Sequence, residues 1–357
     1  MKLRKLFAML LSLAMVAGLL AGCGGDTTTS EPPASEPGTT SEAPSEEPSE
    51  TVEPVTVNVG YMNNYGSLWA LVSAMELGYF EDEGITVETQ SFGDGPTIIA
   101  ALESGSTQFG YIGDGAHRLC VQGQAEIIGL SHISNGDAVI AGPDITSLED
   151  LAGKTVGYAP GTSSETILVN ALNSVGLTLD DINAMSMDAS AVVAAMLSNG
   201  LDACAIWSPE SLTILDQMEG AHKLAQNTDF SDISVSLASW IVTPSYLEEN
   251  RDVAVRFMRA ILRAMDYAAL EENYEEVAGW VADFLSVDSE TVLQQARGDA
   301  DWLTGKEVIA GIQDGTVEGY YALQQEMMVT AGTITAEEEC PVGDYVALDL
   351  ILEAGDY

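Results

Sequence analysis

Short strand-like runs alternate with helical patterns twice along the chain, and this repetition decides which architectures are open to it. Between residues 55 and 130, four runs rich in β-branched and aromatic residues alternate with segments of helical spacing. This βαβαβαβ order is typical of a mostly parallel sheet with right-handed crossovers. The same order restarts after Ala141-Gly142-Pro143, with strands expected near residues 155–158, 184–187 and 203–206.

A β-like run over residues 235–242 ends the second pattern, and the remainder is almost purely helical. Such a chain completes most of one α/β lobe, forms a second lobe and then returns to the first. It therefore passes between the lobes twice, and the two crossover segments form a hinge. Roughly 300 residues are also too many for one comfortable core. We therefore predict an α/β protein of two lobes. Residues 55–142 and 236–357 form the first lobe, to which the helical C-terminal segment returns, and residues 143–235 form the second.

The N-terminus has the pattern of a secretory signal. Lys2, Arg4 and Lys5 precede an apolar run, which ends in Leu20-Ala21-Gly22-Cys23. A basic start, a short apolar core and small residues before a cysteine are typical of a bacterial lipoprotein signal peptide. A transmembrane anchor is the alternative, but the run is shorter than the ~20 residues that a span needs. We predict a signal peptide over residues 1–22 and lipidation of Cys23, which would anchor the protein to the extracytoplasmic face of the cell membrane.

The segment that follows has a composition that cannot form a core. Residues 26–53 are almost entirely Ser, Thr, Glu, Pro and small residues. Acidic, proline-rich chains of this kind repel themselves and remain extended. We predict that residues 23–54, beginning at the lipidated cysteine, are a disordered tether.

Charge and cysteine content exclude several classes of function. The chain has 12 basic and 55 acidic residues, a formal net charge of −43. Nucleic acid is therefore not an expected partner, because phosphate binding needs many Lys and Arg residues. Cys120, Cys204 and Cys340 lack a CxxC or metal-like spacing, so we predict no metal and no cofactor, and the sequence leaves open whether two of them form a disulfide.

Four stretches resemble a known family. They are GYFEDEGITVE (residues 78–88), GPTIIAALESGSTQFGYIG (95–113), DITSLEDLAGKTVGYAPGT (144–162) and LDACAIWSPE (201–210). In this order they resemble the solute-binding proteins of ABC importers, specifically the nitrate, sulfonate and taurine type, which shares its fold with thiamine-pyrimidine-precursor binders. The resemblance implies a type II periplasmic-binding-protein-like fold. It also implies a monomer that closes on a small molecule and delivers it to an ABC permease.

Candidate ligand residues are predicted at the strand exits, which are the residues directly after the carboxyl end of each predicted strand. Ligands of open α/β sheets bind at these ends. Such exits here carry amides, hydroxyls, aromatic rings, glycines and acids. The predicted ligand-binding residues are Tyr61, Asn63, Asn64, Gly95, Asp114, Thr162, Ser163, Trp207 and Glu210.

The stretch Thr162-Ser163-Ser164-Glu165 has two interpretations. As a capping box, Thr162 would cap a helix and Glu165 would return to the Thr162 amide. Free amides and hydroxyls at the same helix start could also hold an anionic or polar ligand group. Glu165 adds negative charge there, and whether it only caps the helix or also faces the ligand stays open.

The expected ligand is a small organic solute. The candidate residues supply hydroxyls and amides, and only Arg118 and Lys154 lie near them in sequence. A sulfonate-like or zwitterionic solute is the first expectation. A neutral or cationic nitrogen heterocycle such as a pyrimidine is the alternative, because Asp114 and Glu210 in one cleft would favour an amine or another donor.

Two other classes of protein were weighed. An enzyme would need a catalytic constellation, and the three histidines and few lysines form none that matches the thiamine-pyrimidine synthases of related fold. A structural or adhesive surface lipoprotein would use the same anchor and tether, but it has little need for paired α/β lobes with aromatic strand exits. We therefore predict a binding protein that is not an enzyme.

Overall fold

The computed structural model describes residues 53–357. The predicted signal peptide, Cys23 and nearly all of the predicted tether lie outside the described residues. Within residues 53–357, no helix is long and apolar enough to cross a membrane.

Eleven strands and fourteen α-helices make up the described chain. The strands are β1 (Val55–Met62), β2 (Ile85–Phe92), β3 (Phe109–Ile112), β4 (Glu126–Ser134), β5 (Ala138–Ala141), β6 (Thr155–Tyr158), β7 (Asn183–Ser186), β8 (Ala203–Ile206), β9 (His222–Gln226), β10 (Leu237–Val242) and β11 (Ala300–Trp302). The helices are α1 (Tyr65–Glu76), α2 (Tyr79–Asp82), α3 (Gly95–Glu103), α4 (His117–Val121), α5 (Ser163–Ser174), α6 (Ala189–Leu197), α7 (Glu210–Gln217), α8 (Pro244–Glu249), α9 (Arg251–Ala268), α10 (Tyr274–Leu285), α11 (Ser289–Gly298), α12 (Gly305–Gln313), α13 (Thr316–Thr330) and α14 (Leu348–Ala354).

The first lobe is built on a six-stranded sheet of order β11-β4-β10-β3-β1-β2. Strands β1 to β4 run in one direction, as the βαβ pattern predicts. Strand β10 lies between β3 and β4 and is antiparallel to both, and β11 is antiparallel to β4. The expectation of a mostly parallel sheet is therefore correct for the strands of the N-terminal half, whereas the two strands that join later run the other way.

The second lobe is built on a five-stranded sheet of order β7-β6-β8-β5-β9. Strand β5 pairs antiparallel with β8 and β9, so the chain changes sheets between Ser134 and Ala138. The predicted boundary at residue 142 is wrong for this reason. The apolar run Ala138–Ala141 was assigned to the first lobe, but both edges of β4 are already occupied there, by β10 and β11.

Strands β5 and β10 are antiparallel to their neighbours because each begins where the chain enters a lobe from a crossover. Strand β4 ends at the edge of its sheet that faces the other lobe, so β5 begins at that edge and must run away from it. Strand β10 enters the first sheet in the same way after β9. Residues 135–137 and 227–236 are thus the two crossover segments, and the carboxyl ends of the other strands, except β11, face the gap between the lobes.

Each lobe has its own apolar core. Strand β5 shows how the second sheet is covered on both sides: Val139 and Ala141 pack with α5, while Ala138 and Ile140 pack with α6 and α7. In the first lobe, the long helix α9 buries one face against α1 and α2, including Phe257, Met258 and Ile261. The C-terminal helices therefore complete the first lobe, as two packed layers around a sheet require.

The two lobes are in direct contact beside the crossovers. A Cβ atom on Gly115 of the first lobe would lie 2.2 Å from the carbonyl carbon of Thr162 in the second. Gly161 is close to Arg118 and Pro96: a Cβ atom there would lie 2.9 Å from Nη2 of Arg118 and 3.5 Å from Cγ of Pro96. Only residues without a side chain permit this approach.

Candidate ligand site

A cavity of about 640 Å³, including its open mouth, lies between the two lobes. Strand exits of both lobes and both crossover segments contribute to its wall. The lining residues include Met62, Asn64, Gly66, Asp94, Gly95, Tyr111, Gly113, Asp114, Ala116, His132, Ser134, Gly136, Asp137, Thr162, Ser163, Trp207, Ser208, Ser236, Leu237, Ala238, Asp299 and Trp302. Its size and mixed apolar and polar wall are typical of small-molecule sites.

Six of the nine residues predicted from the strand exits line this cavity: Asn64, Gly95, Asp114, Thr162, Ser163 and Trp207. Helix starts account for several of these positions. Asn64 caps α1, its Oδ1 accepting a hydrogen bond of 2.8 Å from the Ser67 amide. Gly95 opens α3 at a close approach, because a Cβ atom there would lie 2.9 Å from Cβ of Ala116.

The other three predicted residues lie outside the cavity wall. Tyr61 is on the face of β1 opposite to Met62, since side chains alternate along a strand, and its ring packs edge-on against Phe284 at 5.4 Å. Asn63 is exposed and accepts a hydrogen bond of 2.9 Å from the Ser91 hydroxyl. Glu210 begins α7 with Oε2 buried and without a hydrogen-bond partner among the described residues, and burial raises its pKa to about 7.

Asp114 lies at the back of the cavity and is almost fully buried. Its Oδ1 accepts a short hydrogen bond from Nε2 of Gln324 on α13. Burial raises the pKa of Asp114 to about 6, and the donors on Gln324, Thr166 and the Leu237 amide oppose that rise. A carboxylate held in this way by three separate elements has a fixed orientation at neutral pH.

Asp137 joins the two crossover segments. Its carboxylate accepts hydrogen bonds from Ser163 Oγ at 2.5 Å, Asn227 Nδ2 at 2.9 Å and Ser236 Oγ at 3.4 Å. Its amide donates to Asn227 Oδ1 at 2.8 Å. Burial raises the pKa of Asp137, and these three donors oppose the rise. Asp137 is thus a hinge residue that also places a buried carboxyl group in the cavity wall.

Asp299 is, with Asp94, Asp114 and Asp137, one of the four acids of the wall and comes from the loop between α11 and β11. Burial raises its pKa to about 7, and the Ser208 side chain and Lys223 act in the opposite direction. Because Asp299 belongs to the first lobe and Ser208 and Lys223 to the second, these groups face one another across the cleft. None of the lining residues, all within the described part of the chain, is Lys or Arg.

Aromatic rings form the apolar part of the wall. Trp207 follows β8 in the second lobe, and Trp302 ends β11 in the first. Trp302 is supported by Tyr65 at 5.0 Å and by His132 at 4.7 Å between ring centroids. Burial lowers the pKa of His132 to about 3, so this ring is neutral and adds no positive charge.

Side chains occupy part of the hydrogen-bonding groups at the start of α5. Thr162 caps the helix, as predicted, but its Oγ1 accepts from the Ser164 amide. Glu165 does not return to Thr162: it accepts a hydrogen bond of 2.7 Å from the amide of Gly161, whose φ is 73°. The predicted capping box is therefore wrong in its second half. Glu165 lines a second, smaller cavity behind Asp114 and is absent from the wall of the main one.

Several wall residues were not found by the strand-exit rule. Asp137 and Ser236 lie in the crossovers, while Asp299 and Trp302 lie in the C-terminal half that completes the first lobe. Polar residues beside a crossover would have indicated Asp137 and Ser236. The first crossover was not recognised, because the lobe boundary was predicted at residue 142.

The cysteines form no disulfide within residues 53–357, where Cys120, Cys204 and Cys340 are all free. The same part of the chain contains no group of three or more His, Cys, Asp or Glu residues that could hold a metal ion.

Comparison with known proteins identifies the family. The model of the NMT1/THI5-like family matches residues 67–272, which is more than half of the chain. The chain belongs to the NMT1/THI5-like family. A Brucella abortus protein named as a binding protein is 34% identical over 280 residues, which cover 78% of this chain and 87% of the relative. The taurine-binding periplasmic protein of Escherichia coli is 23% identical over 219 residues, 59% of this chain and 66% of that protein.

Solved structures agree with the two-lobe, type II periplasmic-binding-protein-like fold of this NMT1/THI5-like protein. The alkanesulfonate-binding protein of Xanthomonas axonopodis pv. citri superposes with a TM-score of 0.64 at 19% identity, over 82% of this chain and 98% of the other. The nitrate-binding protein of Synechocystis PCC 6803 gives 0.69 at 15% identity, over 85% and 88%. A desulfurization enzyme also superposes, with a TM-score of 0.59 at 16% identity, over 84% and 98%, so the fold alone does not separate binding proteins from enzymes.

Proposed function

We propose that this protein is an extracytoplasmic solute-binding lipoprotein that captures a small organic solute between its lobes and delivers it to an ABC permease. The solute carries a positively charged or N–H-rich nitrogen group. It is either a nitrogen heterocycle of the pyrimidine kind or a zwitterion with an amine. The protein acts as a monomer, held at the membrane by lipid on Cys23, and carries out no reaction.

The observation that carries the proposal is the charge of the cavity wall. Asp114 and Asp137 are buried in it, Asp299 is partly buried, and no lining residue is Lys or Arg. Removing a carboxylate from water without a cationic partner is costly, and an opposite charge nearby restores the ionised form. A cationic or donor-rich ligand would offset this cost, whereas a purely anionic ligand would increase it.

The aromatic wall supports a flat or compact organic ligand. Trp207 and Trp302 border the cavity from opposite lobes. Indole faces attract cations and stack on rings, so they suit a protonated heterocycle or an alkylammonium group.

A sulfonate without an amine is less well supported, although relatives and structural neighbours bind sulfonates and nitrate by name. At the start of α5, Glu165 occupies the Gly161 amide, and the Ser163 hydroxyl donates to Asp137. These contacts occupy two of the donors that an anion could use there, and no Lys or Arg of the described chain lines the cavity to add others. Taurine stays within the proposal, because it carries an ammonium group as well as a sulfonate.

A thermal-shift panel tests the proposal with taurine, ethanesulfonate, nitrate, choline, 4-aminopyrimidine and 4-aminopyridine. A ligand that binds only the folded protein raises its stability. We expect stabilisation by at least one nitrogen-bearing organic member and none by nitrate or ethanesulfonate. Trp207→Ala should abolish the shift, while Trp280→Ala, whose ring stacks on Tyr267 outside the cavity, should retain it. Stabilisation by the two simple anions alone would refute the proposed ligand class.

A further inference from the structure

Gln324 connects Asp114 of the cavity wall to helix α13 in the C-terminal part of the chain. It lies on α13, is 3% exposed, and stands between the main cavity and the smaller one behind Asp114. Its amide nitrogen donates to Asp114, and its Oε1 is 2.8 Å from Nδ1 of His117. The three side chains form one chain of hydrogen bonds in the interior of the protein.

Only one direction of these hydrogen bonds gives each of the two contacts one donor and one acceptor. An ionised Asp114 can only accept, so it must face the NH₂ group of Gln324. Oε1 of Gln324 then faces His117, and because a carbonyl oxygen can only accept, the imidazole must carry its proton on Nδ1. Burial lowers the pKa of His117 to about 4, so the ring is the neutral donor that this arrangement requires.

We propose that Gln324 is a positioning residue that, supported by His117, holds the Asp114 carboxylate in the orientation that receives the nitrogen group of the solute. This inference rests on the proposed function for its ligand, but the orientation of Asp114 is a property of the ligand-free protein. A glutamine suits the position because it supplies a donor to the carboxylate and an acceptor to the ring at once.

The chain also offers a control of the same kind. Gln325 is the next residue of α13 and is 4% exposed. It makes two hydrogen bonds with the backbone of Cys340, at 2.8 and 2.9 Å, and it does not line either cavity around Asp114. Replacing it therefore removes a buried glutamine and its hydrogen bonds without touching Asp114.

The test is a ¹³C NMR titration of the Asp114 carboxyl group in the ligand-free full chain, with the resonance assigned through Asp114→Asn. Gln324→Met removes the largest opposing interaction, so the pKa of Asp114 should rise by about one unit or more. Gln325→Met should leave it unchanged. The other groups facing Asp114 are Thr166 and Glu165 from α5, Asp137 from the crossover and the Leu237 amide, and all of them remain in both variants. An unchanged Asp114 titration in Gln324→Met would overturn the inference.

A second variant guards against misfolding. Gln324→Glu keeps the size of the side chain but places a carboxyl group against Asp114, so it should also raise the pKa of Asp114. Thermal unfolding of each variant shows whether it folds. Affinity for 4-aminopyridine then separates the two proposals: Gln324→Met should weaken binding at least tenfold at pH 7, and Gln325→Met less than twofold. If the wild-type protein binds neither 4-aminopyridine nor any other nitrogen-bearing compound while the titration shifts as expected, the proposed function fails and the positioning role stands.

Discussion

Asp299 shows at the scale of one residue how burial changes the chemistry of a carboxyl group. Its pKa is raised from 3.8 to about 7, chiefly by burial. The folded protein therefore holds a proton that the unfolded chain releases between about pH 4 and pH 7. Since the folded state binds more protons in this window, the free energy of unfolding falls as pH rises through it.

Asp299→Asn should remove this pH-dependent loss. Each pKa unit corresponds to about 1.4 kcal/mol, so the variant should gain on the order of 2 to 4 kcal/mol over the wild type at pH 7.5, and much less at pH 4.5. Urea unfolding at both pH values measures the difference. His117 and His132 act in the opposite sense below pH 6.5, because their pKa values are lowered, but they are present in both proteins and cancel. A gain of equal size at both pH values would contradict the assignment.

The residues of the site divide into those that local sequence reveals and those that it does not. Asp114 and Trp207 directly follow strands whose period and boundaries are visible, so the strand-exit rule finds them. Asp299 reaches the cavity from a loop and Gln324 contacts Asp114 from α13, each more than 180 residues further along the chain than Asp114, and no local pattern records these contacts. The prediction that Tyr61 lines the cavity is wrong because side chains of successive residues in a strand lie on opposite faces of the sheet.

At the scale of elements, the contact between α5 and the segment after β3 determines how closely the lobes approach. A Cβ atom on Gly115 would lie 2.2 Å from the Thr162 carbonyl carbon, and backbone atoms cannot yield as a flexible side chain can. Gly115→Ala should therefore hold the lobes apart and weaken solute binding by about tenfold, which is about 1.4 kcal/mol.

Calorimetric titration with the solute that stabilises the wild-type protein measures this effect. Gly93→Ala is the control, because a Cβ atom there meets nothing within 4 Å. Equal affinities of the two variants would show that the contact does not limit closure.

The pairing of α9 with the end of α2 is expected to serve stability alone. Arg259 Nη1 is 3.0 Å from Glu83 Oε2, and both side chains are largely buried, whereas Arg297 and Glu275 form an exposed pair at 3.2 Å. Arg259→Ala leaves a buried carboxylate without its partner and should cost about 1 to 3 kcal/mol. Arg297→Ala should change the unfolding free energy by less than about 0.5 kcal/mol.

Thermal unfolding distinguishes the two arginine variants, and solute titration checks the site. Neither arginine lines the cavity, so both variants should bind solute as the wild type does. A weaker affinity of a folded Arg259→Ala protein would assign this arginine a role in binding.

The strand order shows what a period can and cannot predict. Helical and strand patterns predict most of the elements of both lobes, because helices bury one face and the fully buried strands β3 and β8 are short apolar runs. Strand β5 can pair only with a strand whose edge is still free. Strand β10, about 100 residues further along the chain, occupies one edge of β4, so the sequence around β5 alone does not predict its partner. The boundary at residue 142 failed for this physical reason.

At the scale of the whole molecule, the two lobes, the two crossovers and the acidic cavity form one capture device. Asp137 holds the crossovers together while it contributes charge to the cavity, so the hinge and the site share a residue. The net charge of −43 agrees with the proposed preference for a cationic solute, because a negative field raises the encounter rate of cations more than that of anions.

Proton exchange during binding tests whether the acidic cavity binds a cationic solute. Calorimetric titration of the nitrogen-bearing solute that stabilises the protein most would be run at pH 5.5 and pH 8, in buffers of different ionisation enthalpy. We predict that protons leave the protein on binding at pH 5.5 and that affinity is higher at pH 8, because a cation requires Asp114 and Asp299 in their ionised forms. Binding of ethanesulfonate or nitrate that takes up protons and tightens as the pH falls would contradict it.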